Sequence, residues 1–371
     1  MDLFATLSTY PESELMNALF DPRLAPGNPD LDLLNPANFL KLGRIPLLNV
    51  NLVRALIDNG HLDVNAKMQT TGDSLVYIHH KYIGCTILHF AVMWANFELI
   101  EMLVDKNADV NLANDFVYEN VPLNAILNNK DFDWDSAMRI RLLRALNAKG
   151  TLDIRANGHH TPLWDAILLG VDILDEFILM GANVNEKMRE TFHIDRPTTG
   201  SKCSHLTVFT YAVVLGRFDV AHALKRRGAD TEVEGIFNLS LGGGIYSLRP
   251  LEFVCLYGTV GELERLLNIG VNVNAVDDVG KTALRRVAER LMPDRGRRCE
   301  VLIYHNADVS LRSSARTGMN TALEIGLNDE ERLLMEQALE RRRIFHAWAL
   351  FRSPHQIPTE LVPRILLQNG L

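Results

Sequence analysis

The sequence predicts an all-α fold in which short helix–turn–helix units stack one after another as a solenoid. Helix-start signals recur at intervals of 35, 40, 46, 42, 33 and 39 residues, at Thr86, Val121, Thr161, Thr207, Arg249, Thr282 and Thr321. Apolar residues follow these signals at helical spacing. Segments such as 107–111 and 270–274 then close the units with glycine, asparagine or aspartate, which favour left-handed backbone and turns.

The clearest unit spans residues 84–111. Thr86 can cap a first helix through its side-chain oxygen, and the run 97–104 repeats apolar residues at the spacing of a second helix. Asn107 can take the left-handed conformation that ends this helix, and Asp109 can bond to the backbone and turn the chain outward. We therefore expect two short antiparallel helices followed by a loop.

This unit resembles the ankyrin repeat, through Thr-Ile-Leu-His-Phe-Ala at 86–91 and Ala-Asp-Val-Asn at 108–111. Related starts and closing segments extend over residues 39–339. The resemblance implies an ankyrin-repeat solenoid of about eight helix–turn–helix units, with long finger loops and helical caps. Because the usual period of the family is about 33 residues, several units should carry insertions.

The resemblance predicts that the chain is divided into three regions. Residues 1–48 are rich in proline and are expected to form an N-terminal cap, and residues 49–340 form the ankyrin-like array. Residues 341–371 form a C-terminal helical cap or a short recruitment segment. Part of this region, 357–367, resembles the opening of an F-box or SOCS-type box, which would make the protein a substrate adaptor of a ubiquitin ligase.

The composition indicates which kinds of binding partner and which cellular compartment are expected. The 371 residues carry a formal net charge of −8, which argues against nucleic acid because phosphate binding requires a basic stripe. No apolar run approaches the roughly 20 residues of a spanning helix, so no membrane partner is expected. Four cysteines without paired spacing and an N-terminus without a signal pattern indicate a cytoplasmic location, with a nuclear one also open.

Three connections are longer than the family norm, and in ankyrin-like units this position forms a projecting finger. They are residues 68–83, 188–205 and 235–247. The first is expected to be ordered because it contains apolar and aromatic anchors, and its binding candidates are Tyr77, His79, His80 and Tyr82. Order and disorder both stay open for the third, because it contains three consecutive glycines at 242–244.

The resemblance also places two side chains of each unit on the concave groove, and in four units these side chains are apolar. They are Met93 and Trp94, Leu168 and Leu169, Val214 and Leu215, and Leu256 and Tyr257. Such a stripe exceeds what a monomer normally leaves exposed to water. Either the fingers fold over it and make it core, or a partner covers it.

No catalytic motif is present, and no cofactor is expected. Histidines and Cys203 in the fingers meet zinc-ligand spacing only loosely, so no metal is expected either. His89 occupies the structural histidine position of the repeat. We predict a non-catalytic scaffold that binds another protein through the groove and the fingers. The second hypothesis is a binding protein or enzyme for an apolar small molecule, in a pocket walled by the fingers.

Overall fold

The chain forms two compact units, Met1–Asn183 and Val184–Leu371. The structure, a computed structural model, describes the backbone of residues 3–11, 15, 19, 49–68, 84–114, 121–128, 134–155, 161–188, 192–194, 201–239, 244–277, 280–310 and 329–350. It describes the side chains of these residues except 3, 128, 192–194, 201, 239 and 343–350.

The first unit contains eight described helices, of which seven form two rows and the most N-terminal one packs on the next. They are α1 Leu3–Leu7, α2 Val50–Asp58, α3 Ile87–Met93, α4 Phe97–Asp105, α5 Pro122–Asn128, α6 Ser136–Leu146, α7 Pro162–Leu169 and α8 Val171–Leu179. The first helix of each pair packs on the next first helix, in the order α3, α5, α7. The second helices pack in the order α2, α4, α6, α8. Each helix pair therefore contacts its neighbours along the stack.

The second unit repeats this arrangement and adds strands. Its described elements are β1 Phe192–Ile194, β2 Ser201–Ser204, α9 Val208–Val214, α10 Phe218–Arg226, β3 Gly235–Leu239, β4 Gly244–Leu248, α11 Pro250–Tyr257, α12 Val260–Ile269, α13 Ala283–Glu289, α14 Arg295–Tyr304 and α15 Asp329–Leu350. First helices stack as α9, α11, α13 and second helices as α10, α12, α14. Helix α15 packs on α14 at the end of this row.

The first helices begin where the sequence signals predict. The Thr86 amide donates to Nδ1 of His89 over 3.1 Å, which confirms a structural role for this buried histidine. Oγ1 of Thr207 accepts from the Thr210 amide at 3.2 Å, and Oγ1 of Thr282 accepts from the Arg285 amide at 3.3 Å. These bonds satisfy amides that a helix N-terminus otherwise leaves without partners.

The closing segments join neighbouring repeats. Asn107 has the predicted left-handed backbone, with φ of 64°. The Asn111 amide donates to the Asp109 carboxylate at 2.9 Å, which forms the predicted turn. Oδ1 of Asn111 then accepts from the Asp153 amide of the next repeat at 2.7 Å, and Oδ1 of Asn274 accepts from the Asp308 amide at 2.7 Å in the second unit.

The described structure departs from a purely helical chain at two of the long fingers. Strands β1 to β4 form one antiparallel sheet in the order β1-β2-β3-β4. Its central pairing joins two fingers, with Cys203 opposite Phe237. The all-α prediction is therefore incomplete, because apolar residues in separate connections pair with each other. The finger at 235–247 contains β3 and most of β4, whereas residues 69–83 lie outside the described part of the chain.

Candidate functional site

The predicted groove residues lie at the C-terminal ends of first helices. In the first unit, Met93, Trp94 and Leu169 are half-buried, while Leu168 is 56% exposed. The Trp94 ring stacks on Phe90 one turn earlier in α3, with centroids 5.2 Å apart. The indole thus combines a packed face with an accessible one, as binding anchors commonly do.

The corresponding residues of the second unit differ in exposure. Val214 is only 1% exposed and belongs to the core, while the adjacent Leu215 is 38% exposed. Leu256 and Tyr257 are half-buried. Of the eight predicted residues, seven therefore remain at least partly accessible, and the stripe is less exposed than its composition suggested.

The sheet of the second unit packs on the same helix face as Tyr257. Phe237 of β3 stacks on Phe253 of α11, with centroids 4.7 Å apart, and Phe253 contacts the Tyr257 ring at 5.7 Å. The buried side chains of the sheet include Cys203, Phe237 and Leu248. The finger thus covers part of the first-helix face, and Tyr257 lies at the margin of the covered area.

Arg290 extends this face beyond Tyr257. Its guanidinium lies 5.3 Å from the centre of the Tyr257 ring, and Nη1 donates to Oη of the same tyrosine at 3.1 Å. The arginine and the tyrosine thus form a cation–π contact, so a basic group supported by an aromatic ring follows the apolar residues of α11.

A buried ionic network lies between α11 and α13. Nε of Arg286 is 3.1 Å from Oε1 of Glu252, and its Nη2 pairs with Asp277. The Arg249 amide donates to Oε2 of Glu252 at 2.9 Å, and its guanidinium lies 3.3 Å from Glu234. Burial raises the pKa of Glu252, because desolvation outweighs the attraction of the two arginines. This network holds the base of the β3–β4 finger.

The other predicted chemical groups contribute little within the described chain. Tyr77, His79, His80 and Tyr82 lie outside the described residues. His205 is exposed and lies 3.1 Å from Oγ of Ser204. Burial raises the pKa of the Cys299 thiol to about 12. No group of three or more His, Cys, Asp or Glu in the described residues is arranged to hold a metal ion.

The described elements define the class of this protein: it is a helical-repeat protein whose paired helices stack in register. Residues 83–115, which contain α3 and α4, match the family model of the ankyrin repeat. This part of the chain is thus similar to an ankyrin repeat. No curated protein sequence matches it. No described helix is long and apolar enough to cross a membrane.

Two solved ankyrin repeat domains are among the structures that match this chain. The human ASB11 ankyrin repeat domain matches with 18% identity and a TM-score of 0.40, covering 68% of this chain and 96% of that one. The ankyrin repeat domain of Bcl-3, described as a unique member of the IkappaB protein family, matches with 19% identity and a TM-score of 0.46. That match covers 68% of this chain and 99% of the Bcl-3 domain.

Proposed function

We propose that this protein is a non-catalytic scaffold that binds another protein through the groove side of its first helices and through its fingers. Leu168 and Leu215 carry the proposal, because they are 56% and 38% exposed at the C-terminal ends of two first helices. Ankyrin repeats are generally used to bind other proteins, and stacked repeats present such residues on a rigid surface.

Aromatic anchors support the leucines in each unit. Trp94 is held by Phe90, and Tyr257 is held by both Phe253 and Arg290. Large rings that are fixed before binding lose little conformational entropy when a partner covers them. Such rings are also the residue types that most often dominate binding energy. Each unit therefore offers a fixed ring and an exposed leucine to a partner.

The experiment compares exposed leucines on the two helices of one repeat. Leu168→Ser alters the groove side, and Leu179→Ser is the matched control because Leu179, at the end of α8, is 70% exposed. Native-cell extract is passed over the immobilised full-length variants, and the main captured protein is purified for affinity measurement. We expect Leu168→Ser to weaken its binding by about 2 kcal/mol, or about 30-fold, and Leu179→Ser to leave it unchanged.

Two results contradict the proposal. Equal weakening by both substitutions would show that the groove side has no special role. Undiminished capture by Leu168→Ser together with Leu215→Ser would remove the observation on which the proposal rests. Circular dichroism and thermal unfolding verify that the variants stay folded, as expected for substitutions of exposed side chains.

The two other hypotheses have no support in the described residues. The segment 357–367, on which the adaptor hypothesis depends, lies outside them. The small-molecule hypothesis relied on Tyr77, His79 and His80 as pocket walls, and these also lie outside. Both stay predictions from the sequence.

A further inference from the structure

Among the described strands, β4 lies at one edge of the four-stranded sheet. It pairs with β3 on one side, and no described strand pairs with its other side. Natural edge strands are commonly protected by charged residues, proline or bulges. The sequence of β4, Gly-Ile-Tyr-Ser-Leu at 244–248, contains neither charge nor proline, and Ile245 is 74% exposed. The edge is therefore able to accept another strand.

The edge is open because the next connection is short. Hairpins precede α9 and α11, but α13 is preceded by a tight turn, in which the Asp277 amide donates to the Lys281 carbonyl at 3.0 Å. The Gly280 amide donates to the Asp277 carbonyl, also at 3.0 Å, and Val276 forms an isolated bridge with Thr282. This connection contributes no described strand to the sheet, so the sheet ends at β4 although the helix rows continue to α13.

The face of the first helices also changes from aromatic in α11 to basic in α13. Phe253 and Tyr257 follow the helix-start residue Arg249 by four and eight positions, and the equivalent residues of α13 are Arg286 and Arg290. Arg286 is neutralised by Glu252 and Asp277. Arg290 is exposed, and among the described residues it has no carboxylate partner, since its contacts are with Tyr257. Arg290, a cation without a carboxylate partner among the described residues, thus follows the aromatic rings on which the hairpin packs.

Ring contacts connect this cation to the sheet. Arg290 lies over Tyr257, Tyr257 contacts Phe253, and Phe253 stacks on Phe237. Phe237 opposes Tyr246 of β4, so both rings project from the helix-facing side of the sheet. Tyr246 is nevertheless 36% exposed. Tyr246 of β4 and the ring contacts that lead to Arg290 are therefore on the helix-facing side of the sheet.

We propose that an extended segment of a partner protein adds to β4 as a fifth strand and places an aspartate or glutamate against Arg290. This inference rests on the proposed function and names the chemistry of the partner. In strand addition, main-chain hydrogen bonds provide affinity and alternate side chains provide specificity. The carboxylate would replace water around Arg290 with a charge-assisted hydrogen bond.

A second copy of this chain fits the edge less well. Pairing of two β4 strands would join only five residues from each copy. Such a contact falls well short of the roughly 1,000 Å² that a stable interface buries. A partner segment can instead continue past β4 toward Arg290 and contact both the edge and the cation. An acidic extended peptide is therefore the occupant that the positive charge of Arg290 favours.

The test uses a library of random dodecapeptides displayed on phage and selected against the full-length chain. We expect selected peptides to be enriched in aspartate or glutamate within an alternating pattern of β-branched and aromatic residues. A synthetic copy of the best peptide should slow amide hydrogen exchange at residues 244–248. The Arg290→Gln variant should bind this peptide with about 10-fold lower affinity, because one charge-assisted hydrogen bond is lost.

The matched control is Arg297→Gln, since Arg297 is exposed on α14 and pairs with Glu300. Its affinity for the peptide should match that of the wild type. Unchanged exchange at 244–248 in the complex, or equal loss in both variants, would overturn strand addition at β4. Failure to select any peptide would overturn it as well. None of these results affects native-partner capture through Leu168, so this inference and the proposed function can fail separately.

Discussion

Buried arginines cap the C-terminal ends of first helices in both units. In the second unit, Arg298 of α14 donates to the carbonyl oxygens of Cys255 at 3.1 Å and Gly258 at 2.7 Å. In the first unit, Arg139 of α6 donates to the carbonyls of Ile126 and Leu127 at the end of α5. The last carbonyls of a helix lack intrahelical partners and carry partial negative charge, so they stabilise a buried guanidinium.

Replacing Arg298 with lysine should destabilise the second unit even though the charge is kept. A lysine ammonium cannot reproduce the planar fork that reaches carbonyls on α11 and on the turn after it. We expect a loss of about 2 kcal/mol in the free energy of unfolding, measured by urea denaturation. Arg297→Lys serves as the control, because the exposed Arg297 side chain pairs with Glu300. This substitution should change stability by less than about 0.5 kcal/mol. Similar losses in both variants would contradict the capping role.

Residue roles were predictable from the sequence where their partners are local. The bond between Thr86 and His89 spans three residues, and the turn from Asp109 to Asn111 spans two. Arg298 instead acts on carbonyls 40 and 43 positions away, at Gly258 and Cys255. No local pattern marks such a target, because every residue has a carbonyl. The sequence therefore could not distinguish Arg298 from an exposed arginine.

At the scale of elements, the two long fingers of the second unit support each other. A single hairpin is at best marginally stable in water, whereas four paired strands with one buried face can be stable. Phe237 supplies the central contact between this sheet and α11. Gly235 permits β3 to approach Leu206 closely, since a Cβ atom at this position would lie 2.2 Å from Cδ2 of Leu206. The two hairpins are thus a folded part of the second unit.

Truncating Phe237 should release the sheet from the helices. Phe237→Ala removes a fully buried ring and leaves a cavity, so we expect a loss of about 3 kcal/mol or more. Amide hydrogen exchange should accelerate in β3 and β4, and remain slower in α9 and α11. Asn238→Ala is the control because its exposed side chain points from the opposite face. Unchanged protection of β3 and β4 in Phe237→Ala would show that the ring does not anchor the sheet.

The helices were predictable because their capping residues and apolar spacing are local, as Thr207 before α9 illustrates. The sheet was not, because β2 and β3 belong to different connections, with Cys203 and Phe237 separated by the helices α9 and α10. Strand pairing between distant segments leaves no periodic signal. The glycines at 242–244 also favoured mobility in the sequence reading, although the adjoining residues 235–239 and 244–248 form β3 and β4.

At the scale of the whole molecule, the array needs covered ends as well as stacked repeats. In the second unit, α15 is the last described helix, and it packs on α14 with Met335 and Ala338 buried. Arg295 of α14 also pairs with Glu331 of α15 through two hydrogen bonds, of which the Nε bond measures 2.8 Å. Without α15, the apolar face of α14 would contact water.

Glu331→Ala should therefore weaken the end of the array. It leaves the buried Arg295 guanidinium without its carboxylate, and we expect a loss of about 2 kcal/mol together with a lower melting temperature. Glu330→Ala is the control, since Glu330 is exposed on the same turn. Equal melting temperatures for wild type and Glu331→Ala would indicate that α15 is not held by this ion pair. Partner capture through Leu168 should persist in both variants.

Repeat periodicity predicted the order of helix pairs, because each pair carries its own start and closing signals. The signal at Thr282 precedes α13, and the one at Arg249 precedes α11. The exposure of each groove residue depends on what packs over it, which explains why Val214 is core while the adjacent Leu215 is exposed. The boundaries 1–48, 49–340 and 341–371 and the count of about eight units stay predictions.

The most direct test of protein binding through the groove side is amide hydrogen exchange of the full-length chain. Exchange is measured for the free chain and for the chain bound to the protein that it captures from its native cell. We predict slower exchange in the complex at the ends of α7 and α9, near Leu168 and Leu215, and no change in the second helices α8 and α10. Protection confined to α8 and α10, with the ends of α7 and α9 unchanged, would contradict it.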